Sequence, residues 1–147
     1  MFVLIRGLCL VLIHSFLPAH VWGGERLAGP IPAKVLKVID GDSVRVQARI
    51  WPGHSVIVTV RLLGIDTPEM RAKCASVREQ ARIAKAFLKR QLGSGQVTLR
   101  DIRFGKYAGR VLARLATRDI DDISELLLAT GHARAYTGRK RINWCAG

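Results

Sequence analysis

The sequence predicts an α+β domain: a five-stranded Greek-key barrel with a long helix after the third strand and a short helix after the fifth. Three observations carry that expectation. Short β-branched runs of alternating polarity recur between turn residues; the hydrophobic period changes to that of a helix between Met70 and Leu92; and the element order β-β-β-α-β-β-α supplies only five short strands, which bury one another best by closing on themselves.

The elements follow in order. Gly29-Pro30-Ile31-Pro32 is a stiff, strand-unfriendly lead-in, and residues 24–32 read as a linker before a domain spanning 33–147. Val35 to Ile39 is a short apolar strand, Asp40-Gly41-Asp42 a hairpin turn. Ser43 to Ile50 alternates, with Val44, Val46, Ala48 and Ile50 on one face and Arg45, Gln47 and Arg49 on the other. After the turn Trp51-Pro52-Gly53-His54, Ser55 to Leu63 returns with Val56, Val58, Val60 and Leu62 inward, completing a three-stranded meander. Val77, Ala81, Ala84 and Leu88 then mark one face of the long helix, which Gly93-Ser94-Gly95 stops. Gln96 to Ile102 and Arg110 to Ala116 are the last two strands. Asp121 or Asp122 caps a short helix with Ile123, Leu126 and Leu127, which Gly131 ends, and Tyr136 to Gly147 is basic and irregular. The five-stranded oligonucleotide-binding (OB) barrel is the common solution of this size.

Composition bounds the partners. The 147 residues hold 24 Lys+Arg against 11 Asp+Glu, a formal charge of +13, with 49% hydrophobic residues. That excludes a disordered, collagenous or disulfide-dense chain and points to a polyanion, either nucleic acid or an anionic membrane surface. A cationic membrane binder needs large apolar residues on an amphipathic helix, whereas the long helix offers mostly Ala. No stable membrane partner is expected once the leader is gone, and the chain reads as a monomer.

Residues 1–23 read as a secretory signal peptide. Arg6 precedes the apolar stretch Leu8 to Ile13, and small residues stand at Ala19 and Gly23. The run is interrupted by His14, Ser15, Pro18 and His20, well short of the roughly 18–20 residues that span a bilayer; a retained anchor is the alternative. Cys9 follows Gly7-Leu8, with no small residue directly before it, which argues against a lipoprotein anchor. With Cys9 removed, Cys74 and Cys145 remain, 71 positions apart. That spacing argues against a metal-binding pair and suits a disulfide in an oxidising, secreted or periplasmic setting, two buried free thiols being the other reading.

Four acids, Asp40, Asp42, Asp66 and Glu69, fall at the ends of neighbouring strands in a strongly basic chain. Converging carboxylates are either neutralised by arginines or held apart by a hard cation with oxygen ligands. Arg61 and Arg110 are placed to point at the same rim. Two carboxylates for a metal, a third as base and two guanidiniums suit a phosphodiester: arginine's fork matches phosphate oxygens, a divalent cation polarises another, and Glu takes a proton from water. The plain readings are turn chemistry for Asp40-Gly41-Asp42 and a capped helix start for Asp66-Thr67-Pro68-Glu69. His54 and His132 have no partner at ligand spacing. Arg78, Arg82, Lys85 and Lys89 read as a solvated helix face, and Arg139-Lys140-Arg141 as a phosphate-contacting tail.

Val38-Ile39-Asp40-Gly41-Asp42-Ser43-Val44, Arg61-Leu62-Leu63-Gly64-Ile65-Asp66-Thr67-Pro68-Glu69 and Lys106-Tyr107-Ala108-Gly109-Arg110 resemble, in order and spacing, the staphylococcal nuclease (thermonuclease) family. The likeness runs from about Ala33 to Tyr136 and implies an OB barrel, Ca²⁺-dependent cleavage of DNA and RNA, and 3′-phosphate ends. By that resemblance Asp42 and Asp66 match calcium-ligating carboxylates, and Thr67 adds a backbone carbonyl. Glu69 matches the general base, and Arg61 and Arg110 the phosphate-binding arginines. Lys106 and Tyr107 match contacts to a terminal phosphate, and Tyr136 an aromatic that packs against a base. The sequence departs from the family at Ser43, usually Thr, at Gly105, often Asp, and in the extra residue of Ala108-Gly109. The C-terminal helix of the best-known member has no counterpart, and a Cys74–Cys145 bridge reads as its substitute. The competing class is a non-catalytic OB module gripping nucleic acid through charge and stacking, which needs no rim carboxylates.

Overall fold

The computed structural model of the chain describes residues 24–141 and 143–146; the leader reading over residues 1–23, with Cys9, lies outside them. The strands are β1 (Arg26–Leu27), β2 (Ile31–Asp40), β3 (Ser43–Trp51), β4 (His54–Leu62), β5 (Ile65–Asp66), β6 (Gln96–Phe104), β7 (Arg110–Ala116) and β8 (Arg134–Ala135). The helices are α1 (Ala75–Leu92) and α2 (Ile123–Ala129), with a 3-10 turn at Trp144–Ala146. Five strands close a barrel in the order β2-β3-β4-β7-β6 and back to β2. The β4–β7 pair is parallel and the other four pairings are antiparallel. This is the α+β, Greek-key OB architecture with its long helix after the third barrel strand and its short helix after the fifth.

Inside the barrel, Val44, Val46, Val60, Ala113 and Leu115 are fully enclosed, and Leu88 and Leu92 of α1 and Ile123 and Leu127 of α2 join them. The α1 stripe Val77, Ala81, Ala84, Leu88 is buried as its spacing predicts. Alanine at two of those positions brings the helix close to the β2–β3 turn. A Cβ on Gly41 would lie 3.0 Å from Ala84 Cβ and 3.1 Å from Thr67 Oγ1, so any larger residue there forces one of them to give way.

Several expectations need correction. The meander starts at Ile31, four residues before the apolar pattern, because Ile31 and Pro32 pair with β6 alone, outside the stretch where β2 also pairs with β3. Ile50 and Val56 are exposed although their alternation points them inward, since the β3–β4 hairpin overshoots the barrel. The long helix begins at Ala75, not Met70. Cys74 is extended (φ −86°, ψ 141°) and bridged to Cys145, and Arg78 Nη1 donates to the carbonyls of Ala72 (2.9 Å) and Lys73 (2.8 Å), holding residues 67–74 as an irregular segment. Asp66-Thr67-Pro68-Glu69 is therefore no helix cap. Asp122 caps α2, accepting from Ser124 N at 2.8 Å.

Candidate phosphodiester site

The site is built on the shared end of β3 and β4. Asp42 sits in the turn just before β3, which α1 packs against, and the register sets Ser43 opposite Arg61. Asp42 and Asp66 are both buried, an arrangement that two carboxylates tolerate only with compensating charge and hydrogen bonds. Arg61 supplies the charge. Its Nη1 donates to Asp42 Oδ1 and its Nη2 to Asp66 Oδ1, each at 2.8 Å, with the arginine side chain 11% exposed. Ser43 Oγ also donates to Asp42 Oδ1 at 2.8 Å, and Thr67 N to Asp42 Oδ2 at 3.3 Å.

Asp66 belongs to β5, which pairs antiparallel with β8, so Arg134 lies opposite it. Trp144 Nε1 donates to Asp66 Oδ2 at 3.1 Å, and Arg134 stacks on the Trp144 ring with 4.1 Å from Cζ to centroid. Arg141 Nε lies 3.3 Å from Asp66 Oδ1, and its Nη1 bonds Glu69 Oε1. Glu69 itself is half-exposed at the rim. Asp42, Arg61, Glu69 and Arg141 line an open cleft of about 480 Å³ together with Asp40, Thr67, Arg71 and Lys85, among others. Asp66 and Trp144 line an adjoining cleft that shares Glu69, Arg71 and Arg141 with the first.

The structure thus gathers Asp42, Arg61, Asp66, Thr67 and Glu69, with Asp40 beside them. Arg110 is in register with Thr59, two residues before Arg61 on the same face of the sheet, but its guanidinium packs on Tyr107 at 5.2 Å and does not line the cleft. Lys106 likewise faces Tyr107, 5.9 Å from the ring centroid. Gly105 explains the departure at that position: a Cβ there would meet the Arg110 carbonyl oxygen at 2.7 Å. Tyr136 donates its hydroxyl to Arg139 O at 2.6 Å and lines a neighbouring groove with Arg61, Arg103 and Leu112. Sequence reasoning missed Trp144, assigned Arg141 only to a basic tail, and left Lys85 on a solvated face. The signal for the first two is Cys145, whose bridge brings its neighbours next to the segment holding Glu69.

Among the described residues no three His, Cys, Asp or Glu side chains converge at metal-ligand spacing. The donor set still suits an oxygen-seeking cation. Asp42 Oδ2 receives one long bond and Asp66 Oδ2 one bond, so each keeps a lone pair, and the Thr67 backbone stands beside Asp42. Two carboxylates, a carbonyl and waters make the mixed oxygen shell that Ca²⁺ accepts.

The staphylococcal nuclease homologue family model matches residues 59–144, a stretch that holds Arg61, Asp66, Glu69, Arg110, Arg141 and Trp144. The chain belongs to the staphylococcal nuclease homologue family. An uncharacterized protein of Bacillus anthracis is 35% identical to this family member over 105 residues, covering 69% of this chain and 46% of the relative. The chain spans about half the length of that curated relative. Asp42 lies upstream of the family match, and the fold delivers it to the matched residues through its bond to Arg61.

Proposed function

We propose that the chain is an exported, Ca²⁺-dependent nuclease that hydrolyses phosphodiester bonds of DNA and RNA and leaves 3′-phosphate ends. The observation that carries this reading is Arg61, bonded to two buried carboxylates, lining a cleft together with Asp42 and the half-exposed Glu69. Asp42, Asp66 and the Thr67 carbonyl would hold the cation, which when bound polarises a phosphate oxygen and offsets charge built up on phosphorus. Arg61, which lines the cleft, binds a second phosphate oxygen. Arg110, on the same face of the sheet, would have to leave the Tyr107 ring to serve as the second phosphate-binding arginine. Glu69 takes the proton of the attacking water, the new P–O bond forms, and the 5′ oxygen leaves, taking up a proton from solvent in the open cleft. Arg71, Lys85 and the overall positive charge draw the polyanion in.

The second reading, a non-catalytic nucleic-acid-binding module, draws on the acids being already engaged by Arg61, Arg141 and Trp144. Glu69→Gln separates the two. With single-stranded DNA in calcium at one fixed ionic strength, the nuclease reading expects DNA binding to persist while cleavage falls by about 10²-fold or more, and end-group analysis of wild-type products to give 3′-phosphates. Wild-type turnover unaffected by excess chelator would overturn the calcium assignment; no cleavage by wild type would leave the binding module.

A further inference from the structure

The tail described at residues 139–141 and 143–146 returns to the acid cluster. It carries Arg141 to Glu69, 72 positions away in sequence, and Trp144 to Asp66, 78 positions away. Both contacts depend on one covalent point. Glu69 lies five residues before Cys74 and Arg141 four residues before Cys145, so the two segments leave the disulfide together and are rejoined by the Arg141–Glu69 pair. A tether that short gives the pair a high effective concentration. Cys145 N is held by Asn143 Oδ1 at 3.0 Å, and Cys74 N donates to Cys145 Sγ at 3.3 Å, which stiffens the joint.

The consequences fall on the acids. Arg141 is the one side-chain partner of Glu69 among the described residues, so without it a half-exposed glutamate is free to turn through its rotamers in solvent. Asp66 is held by Arg61 at one oxygen and by Trp144 at the other, which fixes the plane of the carboxylate. Trp144 is itself held by Arg134, the residue opposite Asp66 across β5–β8.

We propose that this tail is a working part of the site: Arg141 is a positioning residue for Glu69 and Trp144 for Asp66, with the Cys74–Cys145 bridge as the tether that delivers both. The proposal rests on the nuclease reading for the use made of these acids, while the placement itself is independent of it. Positioning acts on the reacting geometry, so Arg141→Ala lowers kcat about tenfold to a hundredfold with KM changed little. Arg141→Lys recovers part of the loss. Because the Arg141–Glu69 pair is largely exposed, the thermal midpoint of Arg141→Ala moves by only a few degrees.

The test combines steady-state cleavage of a single-stranded oligonucleotide in calcium with a titration of terbium ion, an oxygen-seeking probe excited through a neighbouring indole. Wild type should give strong sensitised emission. Trp144→Phe should lose most of it, and so should the Cys74→Ser/Cys145→Ser pair, which keeps Trp144 but frees it; far-UV circular dichroism checks that this pair folds. Trp51, exposed on the β3–β4 hairpin, supplies the common background. Emission equal in wild type and Trp144→Phe overturns the proposal, as does an Arg141→Ala enzyme with wild-type kcat. A wild type that fails to cleave overturns the nuclease reading instead, and the terbium comparison then decides alone whether the tail holds the acids.

Discussion

Replacing Arg61 by Ala strands two buried charges at once. The guanidinium is 11% exposed and bonds at 2.8 Å to carboxylates that are 4% and 6% exposed. Removing one partner of such a pair costs about 3–5 kcal/mol, because the remaining charge is left desolvated. Here the acids keep other donors: Ser43 and Thr67 N for Asp42, Trp144 and Arg141 for Asp66. The expected loss is therefore at the lower end, about 3 kcal/mol, or a thermal midpoint lowered by roughly 10 °C in a domain of this size. Thermal unfolding of wild type, Arg61→Ala, Asp42→Asn and the double variant measures it. If a stranded charge is the cause, the double variant is more stable than Arg61→Ala by about 1 kcal/mol or more. Saturating calcium, which replaces the missing positive charge, raises the midpoint of Arg61→Ala more than that of wild type. An Arg61→Ala midpoint within about 2 °C of wild type, or strict additivity in the double variant, would refute the reasoning.

Three further outcomes follow from the fold. Loss of the Cys74–Cys145 bridge, which closes a loop of about 70 residues, lowers stability by roughly 4 kcal/mol less any native strain, read as a shift in the urea midpoint between wild type and the double serine variant. Gly41→Ala pushes the β2–β3 turn off Ala84 and Thr67 and costs about 1–3 kcal/mol; an unchanged midpoint would show that the turn is not wedged there. The hydrogen bond from Arg26, reinforced by the charges of Arg26, Arg114 and Arg103 against a smaller burial effect, holds the Asp101 carboxyl below its ordinary value. Its contribution is complete above the unfolded carboxylate pKa and is lost as pH falls through the lower folded value. The stability gap between wild type and Asp101→Asn should accordingly close as pH falls below the ordinary carboxylate range, and a gap independent of pH would remove Asp101 from the account.

The elements legible in the sequence are those whose cause is local. The alternation of Val44, Val46 and Ala48 and the stripe Val77, Ala81, Ala84, Leu88 each specify a face because one side of the element is buried along its length. At Ile50 and Val56 the same alternation names a face but cannot say whether anything covers it, and at the hairpin tip nothing in the barrel does. Two-residue strands such as β5 and β8 carry no period at all. The acids at the strand ends were legible because a basic chain concentrates so few carboxylates there. What Arg141 and Trp144 touch was not, since the tail has no periodicity and its partners lie more than seventy positions upstream.

The parallel β4–β7 pairing has a consequence for the order in which the molecule assembles. The β2–β3–β4 meander needs only contacts between neighbours in sequence, whereas β7 must return across α1 and β6 to seat beside β4. Loop closure makes the distant pairing the slower event. Asp42 and Arg61 both lie in the meander and can meet early; Asp66 gains its β8 support and Trp144 only after the barrel has shut. Pulse-labelled hydrogen exchange during refolding should therefore protect the amide of Val44 before that of Ala113, so that half of the acid pair is in place before the other half has its supports.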